Sequence, residues 1–254
     1  MTRSELTFVY LPETSKVKLS RFGRGNYKIG TNVYTYSRLP GNPSRQALGI
    51  TGAPEAAGRW AGTCPGATPE CEAICYARRP VEEVGPVASL WLGNSARADV
   101  PPIPADAKLL RIHVSGDFDS TDYIDAWIDR LKERPDVRAW AYTRSWRVPS
   151  LLCALEDLRA LPNMQLFASM DPSSLDMPPV GWRRAWLDRT VATGVWGFEL
   201  RLSRPLNTMQ QLQIVFGEGT SSYVCPEETG HKPNCEACRY CFDGRKHDVT
   251  FLEH

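Results

Sequence analysis

Strands alternating with helices of ten to fifteen residues predict an α/β chain on a parallel sheet, curved into a partial or irregular TIM-like (βα) barrel. The first observation is one complete unit. From Lys108, LLRIHVSG reads as a strand and STDYIDAWIDRLKER as a helix, capped by Ser120 or Thr121, with Tyr123, Ile124, Trp127, Ile128 and Leu131 on one face. The second is its repetition: strand VRAWAYTRS, helix SLLCALEDLRAL, strand NMQLFASMD, helix GWRRAWLDRTVA, strand VWGFELRLS. The third lies within the strands, which alternate in polarity. Leu110, Ile112 and Val114 oppose Arg111, His113 and Ser115; Trp196, Phe198, Leu200 and Leu202 oppose Glu199, Arg201 and Ser203; Gln165, Ser169 and Asp171 share a face with Phe167. A doubly wound sheet covered on both faces would read as apolar runs. A barrel with a polar lumen suits this alternation, and polar edge strands would also produce it.

Before these units, residues 1–60 form a β-rich segment in which LTFVYL and NVYTYS are punctuated by FGRGN and LPGNPS. Its first 50 residues hold eight basic side chains (Arg3, Lys16, Lys18, Arg21, Arg24, Lys28, Arg38, Arg45) against Glu5 and Glu13, although the whole chain has a net charge of only +1. Such a patch can meet phosphate or nucleic acid, or be plain solvated surface. Residues 61–216 hold a cysteine loop, a helix from about Val81 to Arg97 and the (βα) core; residues 217–254 form a cysteine-rich extension. At 254 residues and 42% hydrophobic content the three parts fit one compact domain. No long apolar run and no signal-peptide pattern occur, so a soluble, cytoplasmic protein without membrane contact is expected.

Seven of the eight cysteines fall in two groups with metal-ligand spacing, which argues against disulfides. Cys64, Cys71 and Cys75, spaced C-x6-C-x3-C, offer three thiolates and leave one coordination position open, as a reactive centre requires. Cys225, Cys235, Cys238 and Cys241, spaced C-x9-C-x2-C-x2-C, can close a structural zinc site or ligate a second iron–sulfur cluster; His231 could replace one of them. For the first group zinc also stands open, and what favours iron–sulfur is the context: Tyr76 follows Cys75, and HVSGDF ends a strand some forty residues later. Ser115, Gly116 and Asp117 there present backbone groups and a carboxylate at a strand tip, where ligands sit. Gly116 and Asp117 would equally start a turn and cap a helix. His113 is a substrate-site candidate, or a satisfied interior histidine. Tyr142 and Arg144, flanked by Trp140 and Trp146, could stack a ring; Asp171 ends the next strand. Cys153, in SLLCALEDL, reads as a small buried hydrophobe.

Together TYSRLPG, TCPGA, the C-x6-C-x3-CYA loop, HVSGDF, AYTRSW, FASMDPS and VCPEETG with C-x2-C-x2-C resemble the phage gene product 88 family over roughly residues 33–243. More distantly, the order of parts resembles radical S-adenosylmethionine enzymes, although their usual spacing is C-x3-C-x2-C. That resemblance implies a four-iron four-sulfur cluster on Cys64, Cys71 and Cys75, with Ser115, Gly116 and Asp117 holding the cofactor's amino end. The polar lumen would add Ser169, Glu199 and Arg201 to the cofactor pocket. A reductant such as a flavodoxin or ferredoxin would then be needed. The alternative is a zinc-stabilised, non-catalytic nucleic-acid-binding module.

Overall fold

Among the described residues, seven parallel strands make the centre of one nine-stranded sheet, ordered β1-β2-β3-β4-β5-β6-β9-β8-β7, with antiparallel β1 and β7 at its two ends. The strands are β1 Gly23–Arg24, β2 Val33–Tyr36, β3 Leu109–Ile112, β4 Arg138–Thr143, β5 Met164–Met170, β6 Arg183–Asp188, β7 Ile214–Val215, β8 Ser221–Val224 and β9 Asp248–Leu252. This computed structural model describes residues 21–47, 62–78, 85–171, 176–188, 214–215, 221–244 and 247–252. The expected strand 195–203, with Glu199 and Arg201, lies outside the described residues, as do LTFVYL, Arg3, Lys16 and Lys18. Among the described residues the sheet is open, and its two end strands pair with one neighbour each.

Register explains which face each side chain takes. Tyr36, Ile112, Ala141 and Leu166 lie side by side across β2 to β5 and point toward the helices; all four are in the main core. Among the described residues two helices cover that face. Helix α4 (Thr121–Glu133) is capped by the Ser120 side chain, which accepts from Tyr123 N, and buries the expected stripe of Tyr123, Ile124, Trp127, Ile128 and Leu131. Helix α5 (Pro149–Arg159) starts on a proline, whose missing N–H costs nothing there, and buries Leu151, Leu155 and Leu158. Cys153 is exposed on its other side, contrary to the expectation of a buried residue, because 151, 155 and 158 already define the inward stripe. Trp127 packs edge-on against Tyr36 at 5.3 Å, and its truncation to alanine would cost about 3–5 kcal/mol.

The segment expected as helix GWRRAWLDRTVA contains strand β6. Trp182, Ala185 and Trp186 mimic a helical stripe, but pairing with β5 on one side and β9 on the other overrides that local pattern. Trp182 still reaches the helical layer, donating to Glu156 of α5.

The face away from α4 and α5 was expected to line a polar lumen. It carries Arg111, Gln165 and Arg183, interleaved with Trp140, Tyr142 and Phe167, and the C-terminal cysteine segment covers it. His113 departs from the alternation. It leaves β3 with φ of 62°, which turns its ring to the helix side, 2.8 Å from the Tyr123 hydroxyl and edge-on to Phe118.

Candidate metal centre at the strand ends

The loop of residues 62–78 is pinned over the C-terminal ends of β2 to β5. Thr63 bonds the Leu39 carbonyl through both its N–H and its hydroxyl, and Cys64 N–H donates to Gly41 O at 2.9 Å. Gly66 lies so close to the backbone after β4 that a Cβ would fall 2.0 Å from the Arg144 carbonyl oxygen. Only glycine fits there. Helix α1 (Pro43–Ala47) follows Asn42, whose amide donates to the Pro65 and Ala67 carbonyls at 3.0 Å. Glu72, in α2 (Pro69–Ala73), ties the loop back through Asn42 N and through Arg45 at 2.5 Å.

Thr68 caps α2: its hydroxyl accepts from Cys71 N at 3.1 Å and donates to Asp171 at 2.9 Å. Asp171, with no side-chain exposure, also takes the Arg144 guanidinium at 2.5 Å and Arg147 at 3.8 Å. Asp117, after β3, accepts from the Thr143 hydroxyl at 2.6 Å, Phe118 N at 2.8 Å and Arg144 N at 2.7 Å. Gly116, at φ of 79°, lets this turn approach Arg38 and Thr63. Tyr76 closes the set by donating to the Val114 carbonyl. A chain of charge and hydrogen bonds thus joins the cysteine loop to three consecutive strand tips.

Burial dominates the electrostatics. It pushes the Cys64 thiol well up, helped by the Asp117 carboxylate and by the Cys75 and Cys71 sulfurs. It pushes Cys71 up to about 12, although nearby Arg144 pulls the other way, and it raises Cys75 as well. Asp117 rises to about 6 despite its three hydrogen bonds, while Asp171 overcomes its burial through Arg144 and stays below the carboxylate range. Metal would enter such a site by expelling thiol protons.

The four C-terminal cysteines lie on the sheet face away from α4 and α5. Cys225 N donates to Thr250 of β9, and α6 (Cys235–Cys238) is capped by Asn234, whose side chain accepts from Ala237 N. Cys235 N and Glu236 N bond the carbonyls of Lys28 and Ile29, which docks this segment on the N-terminal loop. The Tyr142 hydroxyl donates to Cys241 Sγ at 2.8 Å. Burial raises Cys235 to about 12 and Cys241 to about 11, and it raises Cys225 further. All eight cysteines are free thiols, and among the described residues no three His, Cys, Asp or Glu side chains converge as an ion cage. His231 bonds Thr229 at 3.0 Å.

Of the residues expected at the site, Ser115, Gly116, Asp117, Arg144 and Asp171 gather at the strand tips beside the three-cysteine loop. Tyr142 belongs to the four-cysteine group, His113 to the helical core, and Ser169 to the C-terminal part of β5, where its carbonyl takes Trp146 and Arg147 at 3.2 Å. Thr68, Arg147 and Arg183 carry no expectation from sequence, whereas Arg111 is expected on the polar strand face and is found there. Thr68 was legible, since Thr-Pro before a short acidic stretch is a helix-start signature. Arg183 was hidden inside a strand read as helix. Among the described residues of the basic N-terminal segment, four charges are paired within the fold: Arg24 with Asp106, Lys28 with Glu227 and Glu228, Arg38 with Asp119, and Arg45 with Glu72. A groove of about 480 Å³ beside α4, lined by Asp99, Asp129, Arg130 and Lys132 among others, contains no cysteine. Among the described residues no helix is long and apolar enough to cross a membrane.

A family model described as Gene product 88 matches residues 95–251, from the end of α3 (Gly85–Ser95) into β9. The Gene 88 protein of Mycobacterium phage L5 is 27% identical over 252 residues, covering 90% of this chain and 96% of its own. That of Mycobacterium phage D29 is also 27% identical, covering 88% and 94%. No solved structure matches. These relatives lend no support to the resemblance to radical S-adenosylmethionine enzymes. With the family match spanning more than half its length and taking in β3 to β9 and all four C-terminal cysteines, the chain belongs to the phage gene product 88 family.

Proposed function

We propose that this chain is an iron–sulfur enzyme working in the manner of radical S-adenosylmethionine proteins, with Cys64, Cys71 and Cys75 holding a four-iron four-sulfur cluster. Cys225, Cys235, Cys238 and Cys241 would hold a second cluster or zinc. One observation carries the reading. Three free thiols, with the other five cysteines elsewhere, stand over the C-terminal ends of consecutive parallel strands, where parallel α/β proteins bind their ligands. A thiolate set short by one is the donor chemistry of a cluster that keeps an iron open.

Such a cluster supplies an electron and a coordination place for a small amino-carboxylate cofactor such as S-adenosylmethionine. The chain's own groups do the rest. Arg144, held by Asp171, sets a fixed positive charge beside Cys71 and offsets the thiolates. Among the described residues the buried Ser115 hydroxyl has no hydrogen-bond partner, and it is available to an amino or carboxylate group. Asp117 Oδ2 accepts one bond, from Arg144 N, and retains acceptor capacity for an ammonium. A flavodoxin- or ferredoxin-like reductant would supply the electron.

Anaerobic reconstitution of the full chain with iron and sulfide tests the reading. We expect brown protein whose reduced electron-paramagnetic-resonance signal changes on adding S-adenosylmethionine, followed by reductive cleavage. A loaded cluster blind to S-adenosylmethionine removes the radical chemistry. Colourless protein that binds zinc alone removes iron as well and returns the chain to a zinc-stabilised module.

A further inference from the structure

Among the described residues, two guanidiniums on the sheet face away from α4 and α5 have no acidic partner. Arg111 lies over the Tyr142 ring at 4.0 Å and donates through Nε to the His113 carbonyl at 3.3 Å. Arg183 lies over the Phe167 ring at 4.1 Å and donates to Gln165 Oε1 and the His247 carbonyl, while among the described residues its buried Nη2 has no hydrogen-bond partner. Among the described residues neither has a carboxylate within ion-pair distance. The acids nearby are engaged elsewhere: Asp248 takes Arg184 at 2.7 Å, and Glu227 and Glu228 take Lys28 at 3.4 and 3.5 Å. The groups through which negative charge acts on Arg183 are Cys241 first, then Tyr240, Tyr142 and Asp248. Arg111 acts on Cys235 and Cys241.

Unpaired charges in a covered face are costly, and ring faces stabilise a cation without neutralising it. A metal held by four thiolates is doubly negative whether the metal is zinc or a four-iron core in its oxidised resting state. Resting on the reading of Cys225, Cys235, Cys238 and Cys241 as a metal centre, we infer that Arg111 and Arg183 are its counter-charges. They neutralise the tetrathiolate across the sheet face, while Tyr142 donates to the Cys241 sulfur. They are positioning residues, acting on metal retention through the field they set at the sulfurs.

The test uses the full chain with Cys64, Cys71 and Cys75 changed to Ala, loaded with zinc and challenged with a chelator. Arg111→Met and Arg183→Met, close in volume and uncharged, are expected to lower zinc affinity about tenfold to a hundredfold. Arg183→Lys should recover most of the loss. In the metal-free protein the same Met variants should melt no lower than the parent, since a costly unpaired charge is gone. A parent that binds neither zinc nor, after anaerobic reconstitution with iron and sulfide, a cluster removes the metal reading itself. A parent that binds, with Met variants that bind as tightly or a Lys variant as poor as Met, overturns the counter-charge role. Met variants that lower both retention and metal-free melting show packing instead and overturn it too.

Discussion

The two thiol groups are held by opposite means. Around Cys64, Cys71 and Cys75 the supports are carboxylates, Asp117 and Asp171, which fix a guanidinium and a helix cap. Around Cys225, Cys235, Cys238 and Cys241 the supports are rings and guanidiniums, with a phenol on one sulfur. The first arrangement sits at strand tips; the second is pressed between the sheet face and its own loop. Acidic supports at a set of three leave room for an incoming ligand with its own positive charge. Basic supports at a set of four suit a closed, negative centre that nothing enters.

The largest break in this contrast comes from Asp171→Ala. Removing a fully buried carboxylate strands Arg144 and frees the Thr68 cap, and a buried pair broken on one side costs about 3–5 kcal/mol. Denaturant unfolding should show that loss, and metal analysis should show emptying of the three-cysteine loop with the four-cysteine group still loaded. Equal loss at both groups would mean that the two are one cooperative unit.

Asp117 gives the next effect, read through pH. Its folded pKa of about 6 exceeds its ordinary 3.8, so the folded chain binds more protons between those values. Its contribution is therefore fully stabilising below about pH 4 and is lost as pH rises through 6, by about 3 kcal/mol for a fully buried group. Metal-free protein should show this falling limb, and Asp117→Asn should flatten it. A limb unchanged in the Asn variant would assign the proton to another group.

Thr68→Val separates cap from charge. Asp171 keeps Arg144, but α2 loses its N-cap and Cys71 N its partner, for about 1 kcal/mol. Melting should fall slightly, and the loop should exchange metal faster. No change in exchange would show that α2 is held by Glu72 alone.

How much of this contrast was legible is a matter of range. The units β3-α4-β4-α5-β5 follow from local periods, and the stripe Tyr123 to Leu131 is buried as its spacing predicts. β6 was not legible, because Trp182, Ala185 and Trp186 fit a helix until two neighbouring strands decide otherwise. The grouping of cysteines could be read from spacing, but not that Tyr142 would serve Cys241, a contact spanning 99 positions. Of the two readings of His113, the interior histidine is the one its Tyr123 contact fits, because the alternation that sets it on the polar face ends one residue earlier, at a backbone turn that side-chain pattern does not encode.

Cys153 supplies the smallest effect and the internal control. It stands exposed on the outer side of α5 while Leu151, Leu155 and Leu158 face the core, so neither set of supports touches it. Cys153→Ser removes no packing and no ligand, and should shift stability by under about 0.5 kcal/mol with metal content unchanged. In unmodified, metal-free protein it should also be the first thiol alkylated, because the other seven are at least partly buried and those with raised pKa values present little thiolate. Mass mapping after brief alkylation reads the order directly. If cysteines of either group react as fast as Cys153, that group is open in the metal-free chain, and its supports act only once metal is bound.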